Sequence, residues 1–324
     1  MTGSGRKWFT LFAWALLAFN IPVILWGAYV RVSFSGDGCG AHWPFCAGQV
    51  IPQHMAAPMA IEFAHRMMTS VDSIGAILLC LWAFRSFPKG HGVRRYAVLS
   101  LIFLFVEALL GAGLVLFRYV AHDQSAGRAI YLSAHLTNTM LLLGAFTTTA
   151  WMAGSGMSFA PWRGVRGRFQ GALAASIVVS VTGAIAALGD TLFPSASIAA
   201  GLQQDFSSAS STLLRLRMFH PVVALAGAAV LLWAATSLLK REEDSPSRKA
   251  AIRVIVVVLA QILAGAVNIA LLAPLAMQMV HLFLADVLWI AVVVMVLEAA
   301  SVRKEHVFDA PGGVGRLHRA LEAN

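Results

Sequence analysis

Residues Ala60–Phe84, AIEFAHRMMTSVDSIGAILLCLWAF, decide how this chain is to be read. As a helix the run is about 37 Å long at 1.5 Å per residue, enough to cross a hydrocarbon core of ~30 Å. Its ionisable residues, Glu62, His65, Arg66 and Asp72, crowd into its first half, and its second half is apolar. Charged and titratable groups are costly in lipid and are usually kept there for a task. The stretch therefore reads as a transmembrane helix with chemistry near one end.

Apolar blocks of the same length lie outward from it, at about Phe9–Val30, Ala97–Phe117, Ala129–Met152, Phe169–Leu188, Leu213–Leu239, Ile252–Leu272 and Leu275–Ala299. That makes eight spans. Backbone groups in lipid must pair within their own segment, and none of these blocks alternates as a barrel strand would, so all eight are expected to be helices. Of the 324 residues, 59% are hydrophobic and 12% charged, against roughly 25% charged in soluble domains. The spans leave no room for a large soluble domain. The first block follows Arg6 and Lys7 as a signal peptide would, but it runs too far and lacks an evident cleavage site, so a retained span is expected.

The net charge of +9 raises the question of a nucleic-acid partner. A nucleic-acid surface needs its basic residues on one face, whereas here they alternate with the spans. Eighteen Lys and Arg fall in the termini and alternate loops, and five, Arg31, Arg118, Arg128, Arg215 and Arg217, fall on the other side. By the positive-inside rule both termini are cytoplasmic in a multi-pass cell-membrane protein. The bilayer accounts for the charge, and no nucleic acid is expected. The long outer loops are then about Arg31–Met59 and Gly189–Thr212, and the polar tail from Ser301 is cytoplasmic.

The two halves of the chain resemble each other. The third span has Glu107-x3-Gly111-Ala112 and the seventh Gln261-x3-Gly265-Ala266; the fourth has His135-Leu136 and the eighth His281-Leu282. The second and sixth spans hold His65 and His220. The expected fold is an all-α integral membrane protein, its eight helices forming two pseudo-symmetric four-helix bundles as parallel repeats. The expected division is 1–152, 153–300 and a tail at 301–324.

His65, His135, His220 and His281 all lie ~8–13 Å below the outer helix ends. Any one of them alone would be read as an interhelical hydrogen bond. Four on one level make two pairs, and paired neutral imidazoles in an apolar four-helix bundle suit haem iron. The pairs expected are His65 with His135 and His220 with His281. Zinc is less apt, lacking carboxylate or thiolate co-ligands at that depth. Glu62 is one turn from His65 on the same face, where it could exchange protons or oppose positive charge; the alternative is an acid placed at a helix N-terminus. Arg66, Arg215 and Arg217 would neutralise haem propionates, or else snorkel to the interface. Asp72, Glu107 and Asp286 lie within spans; Asp72, seven residues past His65 on the same face, could belong to a polar path but reads first as an interhelical hydrogen-bond partner. Cys39 and Cys46 bracket Gly40 and Pro44 in an outer loop, where a disulfide is plausible as a staple or as a redox-active pair. Cys80 reads as packing.

These residues resemble the haem A synthases, the cytochrome oxidase assembly factor family. The matching pieces are Gly27-Ala28-Tyr29-Val30-Arg31, then Cys39-Gly40-x2-Trp43-Pro44-x-Cys46-x-Gly48, Ile51-Pro52, Ile61-Glu62-x2-His65-Arg66, His135-Leu136, His220 and His281-Leu282-x3-Asp286. The resemblance implies an oxidoreductase that converts the C8 methyl group of haem O to the formyl group of haem A for the terminal oxidase. It implies that His65 and His135 face the substrate haem, that His220 and His281 ligate a resident haem b, and that Glu62 assists the oxidation. It also implies a Cys39–Cys46 disulfide, with haem O synthase and an electron donor or acceptor as partners. Relatives often have His-Arg in the sixth span, where this chain has His220-Pro221, so the second propionate contact would fall to Arg217 or Arg215. A dihaem cytochrome b passing electrons from quinol would fit the histidines equally, and a transporter would fit the architecture. The cytochrome does not need Glu62 and the cysteine loop, and the transporter leaves four level histidines unexplained.

Overall fold

The computed structural model describes residues 3–158, 160–165, 167–207 and 212–309. Among these residues ten α-helices follow one another: α1 Gly3–Val32, α2 Ala57–Ser86, α3 Gly92–Leu116, α4 Ala126–Ser155, α5 Arg168–Leu192, α6 Ile198–Phe206, α7 Thr212–Arg217, α8 Phe219–Thr236, α9 Pro246–Ala270 and α10 Leu275–Asp309. Among the described residues eight segments are long and apolar enough to cross a membrane, α7 and α8 together forming the sixth. The chain is a multi-pass membrane protein. Local chemistry marks the ends: proline occupies the first turn of α2 and of α9, Ser125 caps α4 by accepting from the Arg128 N–H, and Gly156 closes α4 in the left-handed region.

Three features depart from the expectation. The sixth span is not continuous; it breaks at Met218 between α7 and α8. Pro221 has no N–H and its ring collides with the carbonyl four residues back, that of Arg217, which stops the helix there. The second long loop, for which no helix was expected, contains α6, capped by the Ser197 hydroxyl accepting from Ala200 N–H at 3.1 Å. The tail expected from Ser301 begins instead as a continuation of α10 to Asp309. The remainder of the expected tail, 310–324, lies outside the described residues, as does Arg166.

Helices α1 to α4 pack as a ring, each against the next and α4 against α1; α5, α8, α9 and α10 pack in the same order, with α10 against α5. Helices α4 and α10 meet where the two sets join. Buried alanines such as Ala76, Ala83, Ala97 and Ala150 in the first set, and Ala172, Ala234 and Ala251 in the second, let the backbones approach. Hydrogen bonds fasten the seam: Trp289 donates to the Met140 carbonyl at 2.7 Å, Trp151 to Glu298 at 2.8 Å, and Arg31 to the Ala187 carbonyl and Thr191 hydroxyl at 2.5 and 2.6 Å. Such bonds contribute about 0.6 to 2 kcal/mol each in membranes.

Candidate functional site

Each of the four span histidines packs on a glycine of the preceding long helix. A Cβ placed on Gly27 would stand 3.0 Å from His65 Cε1, on Gly111 3.9 Å from His135 Cε1, on Gly183 3.0 Å from His220 Cε1 and on Gly265 3.1 Å from His281 Cε1. Any side chain at Gly27, Gly183 or Gly265 would push the ring. Glycines in α1, α5 and α9 thus set the imidazoles of His65, His220 and His281, while Gly111 in α3 lies in ordinary contact with His135. His65, His135 and His281 lie six to nine residues inside α2, α4 and α10, roughly 9–14 Å from the starts of those helices, whereas His220 is the second residue of α8, just past the break that follows α7.

The ring centres of His220 and His281 are 6.5 Å apart with planes at 83°. At about 2 Å per metal–imidazole bond and roughly another 1 Å from ring nitrogen to ring centre, a metal between two imidazoles sets their centres about 6 Å apart. The pair fits a haem iron. His220 Nδ1 lies 3.1 Å from the Thr182 hydroxyl, and His281 Nε2 lies 3.3 Å from Gln261 Nε2. Each ring therefore keeps one nitrogen for a metal while a neighbour engages the other, the arrangement expected of ligating histidines. His65 and His135 are near enough to each other to interact electrostatically. His65 Nδ1 is buried without a hydrogen-bond partner, an atom that a metal would satisfy. His135 Nδ1 stands 3.2 Å from Glu107 Oε1, out of line for a hydrogen bond but within ion-pair reach.

Above the first pair sits the loop closed by the Cys39–Cys46 disulfide. Glu62 is buried and accepts from the Cys39 N–H at 2.8 Å through one oxygen, while the other pairs with Arg66. Arg66 also donates to the carbonyls of His42 and Phe45 at 2.9 Å and of Pro44 at 3.3 Å. Glu62, His65 and Arg66 thus come together under the loop, with Arg66 engaged by protein groups. At the other site Arg217 bridges Asp190 at 3.1 Å and Asp205 at 2.6 Å, pinning α6 and α7 to the end of α5, so its guanidinium too is held by protein carboxylates. Asp72 accepts from Asn20 at 2.9 Å, as its reading required, whereas Asp286 Oδ2 is buried without a hydrogen-bond partner. Cys80 is a free thiol in α2.

Sequence reasoning used Glu107, Gly111, Gln261 and Gly265 only as markers of the repeat and Gly27 only as part of the family resemblance; it did not find Gly183 or Thr182. Extending the repeat to α1 and α5 would have set Trp26-Gly27 beside Thr182-Gly183 and supplied the missing signal.

The profile of the family described as cytochrome oxidase assembly protein (COX15-CtaA) matches residues 10–293. A relative from Thermus thermophilus named protohaem IX farnesyltransferase is 39% identical over 316 residues, covering 95% of this chain and 51% of that protein. A haem A synthase from Halalkalibacterium halodurans is 38% identical over 97 residues, 30% of this chain and 33% of that protein, and one from Geobacillus kaustophilus 35% identical over 109 residues, 34% and 33% respectively. The chain spans about half the length of the Thermus relative.

Proposed function

The chain belongs to the cytochrome oxidase assembly protein family, and from that premise we propose that it is a haem A synthase, an oxidoreductase that turns the C8 methyl group of haem O into the formyl group of haem A. The observation that carries the reading is the fourfold packing of imidazole on glycine, with two rings set 6.5 Å apart. His220 and His281 would hold a resident haem b, and His65 and His135 would face haem O as substrate. The bound haem supplies the redox chemistry. The chain supplies position and exclusion. Glycine-backed rings are held against backbone, so little reorganisation accompanies ligation, and the disulfide loop over Glu62 limits water at the first site.

Methyl oxidation removes protons as well as electrons, and Glu62 is the carboxylate at the mouth of the first site. Its Cys39 and Arg66 partners hold it in one orientation, as a proton acceptor or a counter-charge must be. Arg66 and Arg217 remain the candidates for haem propionates, each exchanging a present carbonyl or carboxylate partner for the incoming group. Basic residues concentrate at the ends of the spans opposite the disulfide loop, which supports a cytoplasmic location for both termini and a position outside the cell membrane for the loop. Haem O synthase as supplier of the substrate and an electron donor or acceptor belong to the same proposal.

The Thermus relative's name supports a second reading, farnesyl transfer to protohaem. About half of that protein lies outside the match, while proteins named haem A synthase share part of this chain. Purified full-length protein given haem O, or protohaem with farnesyl diphosphate, separates the readings when the extracted pigments are identified by mass spectrometry. Haem A from haem O supports the proposal. A farnesylated haem from protohaem overturns it, and bound haem with electron transfer from quinol but no altered pigment returns the chain to the cytochrome b class.

A further inference from the structure

The two histidine pairs are alike in their glycines and unlike one turn away. Glu107 in α3 and Gln261 in α9 hold equivalent places, four residues before Gly111 and Gly265, and each reaches the histidine of the next span. Glu107 does not stand alone. Its carboxylate accepts from Asn138 Nδ2 at 2.5 Å and from the Thr139 hydroxyl, and Asn138 also donates to the Phe103 carbonyl at 2.8 Å. His135, Asn138 and Thr139 are spaced three and four residues apart on α4, so one helix face presents a ring and two donors to the same carboxylate.

In the second half the corresponding run is His281-Leu282-Phe283-Leu284-Ala285, so Leu284 and Ala285 stand where the first half has Asn138 and Thr139. Three positions differ together: carboxylate for amide, and two donors for two aliphatic residues. Donors that hold a carboxylate in an apolar bundle have a purpose only where the carboxylate is kept, because an amide supplies its own N–H and a charge does not.

We propose that Glu107 is a positioning residue that makes the first iron site electron-rich relative to the second, lowering its reduction potential, while Gln261 leaves the second site the higher of the two. This rests on the reading of the histidine pairs as haem sites. A carboxylate behind a ligating imidazole increases the basicity of the ligand, and a negative charge held close by in a poorly hydrated bundle favours the more oxidised, more positive iron. A neutral amide does neither to the same degree. One repeated architecture thereby yields two sites of unequal potential with the same ligand type.

The test uses full-length protein loaded with haem b as the probe. His281→Ala isolates the first site, His135→Ala isolates the second, and each is titrated potentiometrically. In the first-site protein Glu107→Gln should raise the midpoint so that the oxidised-to-reduced ratio at fixed potential falls at least about tenfold, equivalent to ~59 mV for one electron. In the second-site protein Gln261→Glu should lower it. A purely structural Glu107 would change haem occupancy and leave the midpoints alone. Retained haem with an unmoved midpoint in Glu107→Gln overturns the proposal; if that variant loses haem, Gln261→Glu decides by itself, and an unmoved midpoint there overturns it equally. Absence of haem from the unmodified protein would instead bring down the haem reading and this inference with it, an outcome distinct from bound haem whose potential does not respond.

Discussion

The backbone N–H of Cys39 donates to Glu62 Oε2 at 2.8 Å, so the carboxylate at the mouth of the first site and the disulfide loop above it are one piece of structure. This contact gives Glu62 a structural task alongside the chemical one proposed for it. Glu62→Gln separates the two, since an amide oxygen can still accept from Cys39 but cannot carry charge. We expect the variant to keep both haem sites and the loop while haem A formation falls at least ~10²-fold, the low end for acid–base assistance. Near-normal haem A production, measured by pigment extraction, would leave Glu62 as a fastener of the loop alone.

The proposal gives His220 and His281 a resident haem b, and the glycines give it a second test. Replacing either histidine by Ala should abolish the low-spin b-type spectrum. Gly265→Val should have much the same effect without removing a ligand, because its first added carbon already stands 3.1 Å from His281 Cε1. Optical spectra of the purified variants decide. Full haem content in Gly265→Val would show that the ring can move without losing the iron.

Arg217 should matter for stability whatever it does for a propionate. Removing it leaves Asp190 and Asp205 facing each other where they had shared a cation. The loss expected for Arg217→Ala is about 2 kcal/mol, below the ~3–5 of a fully buried pair because the Asp190 side chain is 28% exposed. Limited proteolysis should then cut first in the loop that carries α6. An unchanged cleavage pattern counts against the clamp.

His91 offers a pH-dependent contribution outside the spans. Its Nδ1 accepts from the Val93 N–H at 3.2 Å at the start of α3, and burial holds its pKa below the ordinary histidine range. A depressed histidine pKa means that the folded protein resists protonation, so the stabilisation is complete above pH ~6.5 and declines as pH falls from there toward the folded-state value. Thermal melts at pH 7.5 and pH 5.5 should differ less in His91→Asn, which caps without titrating, than in the unmodified protein. An equal loss in both would remove His91 from the account.

The spans were legible because lipid imposes a length and an apolar content that few other structures satisfy, and Pro58, Ser125 and Gly156 carry recognisable end signals. The break at Met218 was present in the letters as Pro221, but uninterrupted hydropathy masks a helix stop. Helix α6 is short and lies in a loop, below the length at which periodicity speaks. The four histidines could be counted and levelled from sequence, whereas what lies behind each ring could not, since a glycine's importance comes from what it touches. Asp72 could be read as an interhelical hydrogen-bond partner from its type and its place in a span, and Asn20 supplies the donor, but which residue would answer it was not in the letters.

Glycine beneath imidazole occurs once in each successive pair of long helices, which makes the hairpin, rather than the four-helix half, the smallest unit that is copied. On the proposed reading a hairpin carries one ligand and an iron takes two, so neither hairpin of a pair would serve alone and the ligand tally would follow the hairpin tally. Such a scheme frees the sequence in a particular way. As long as the glycine and the ring are retained, residues one turn removed can diverge between copies without endangering metal capture, and it is there, at residues 138 and 139 against 284 and 285, that the copies have diverged.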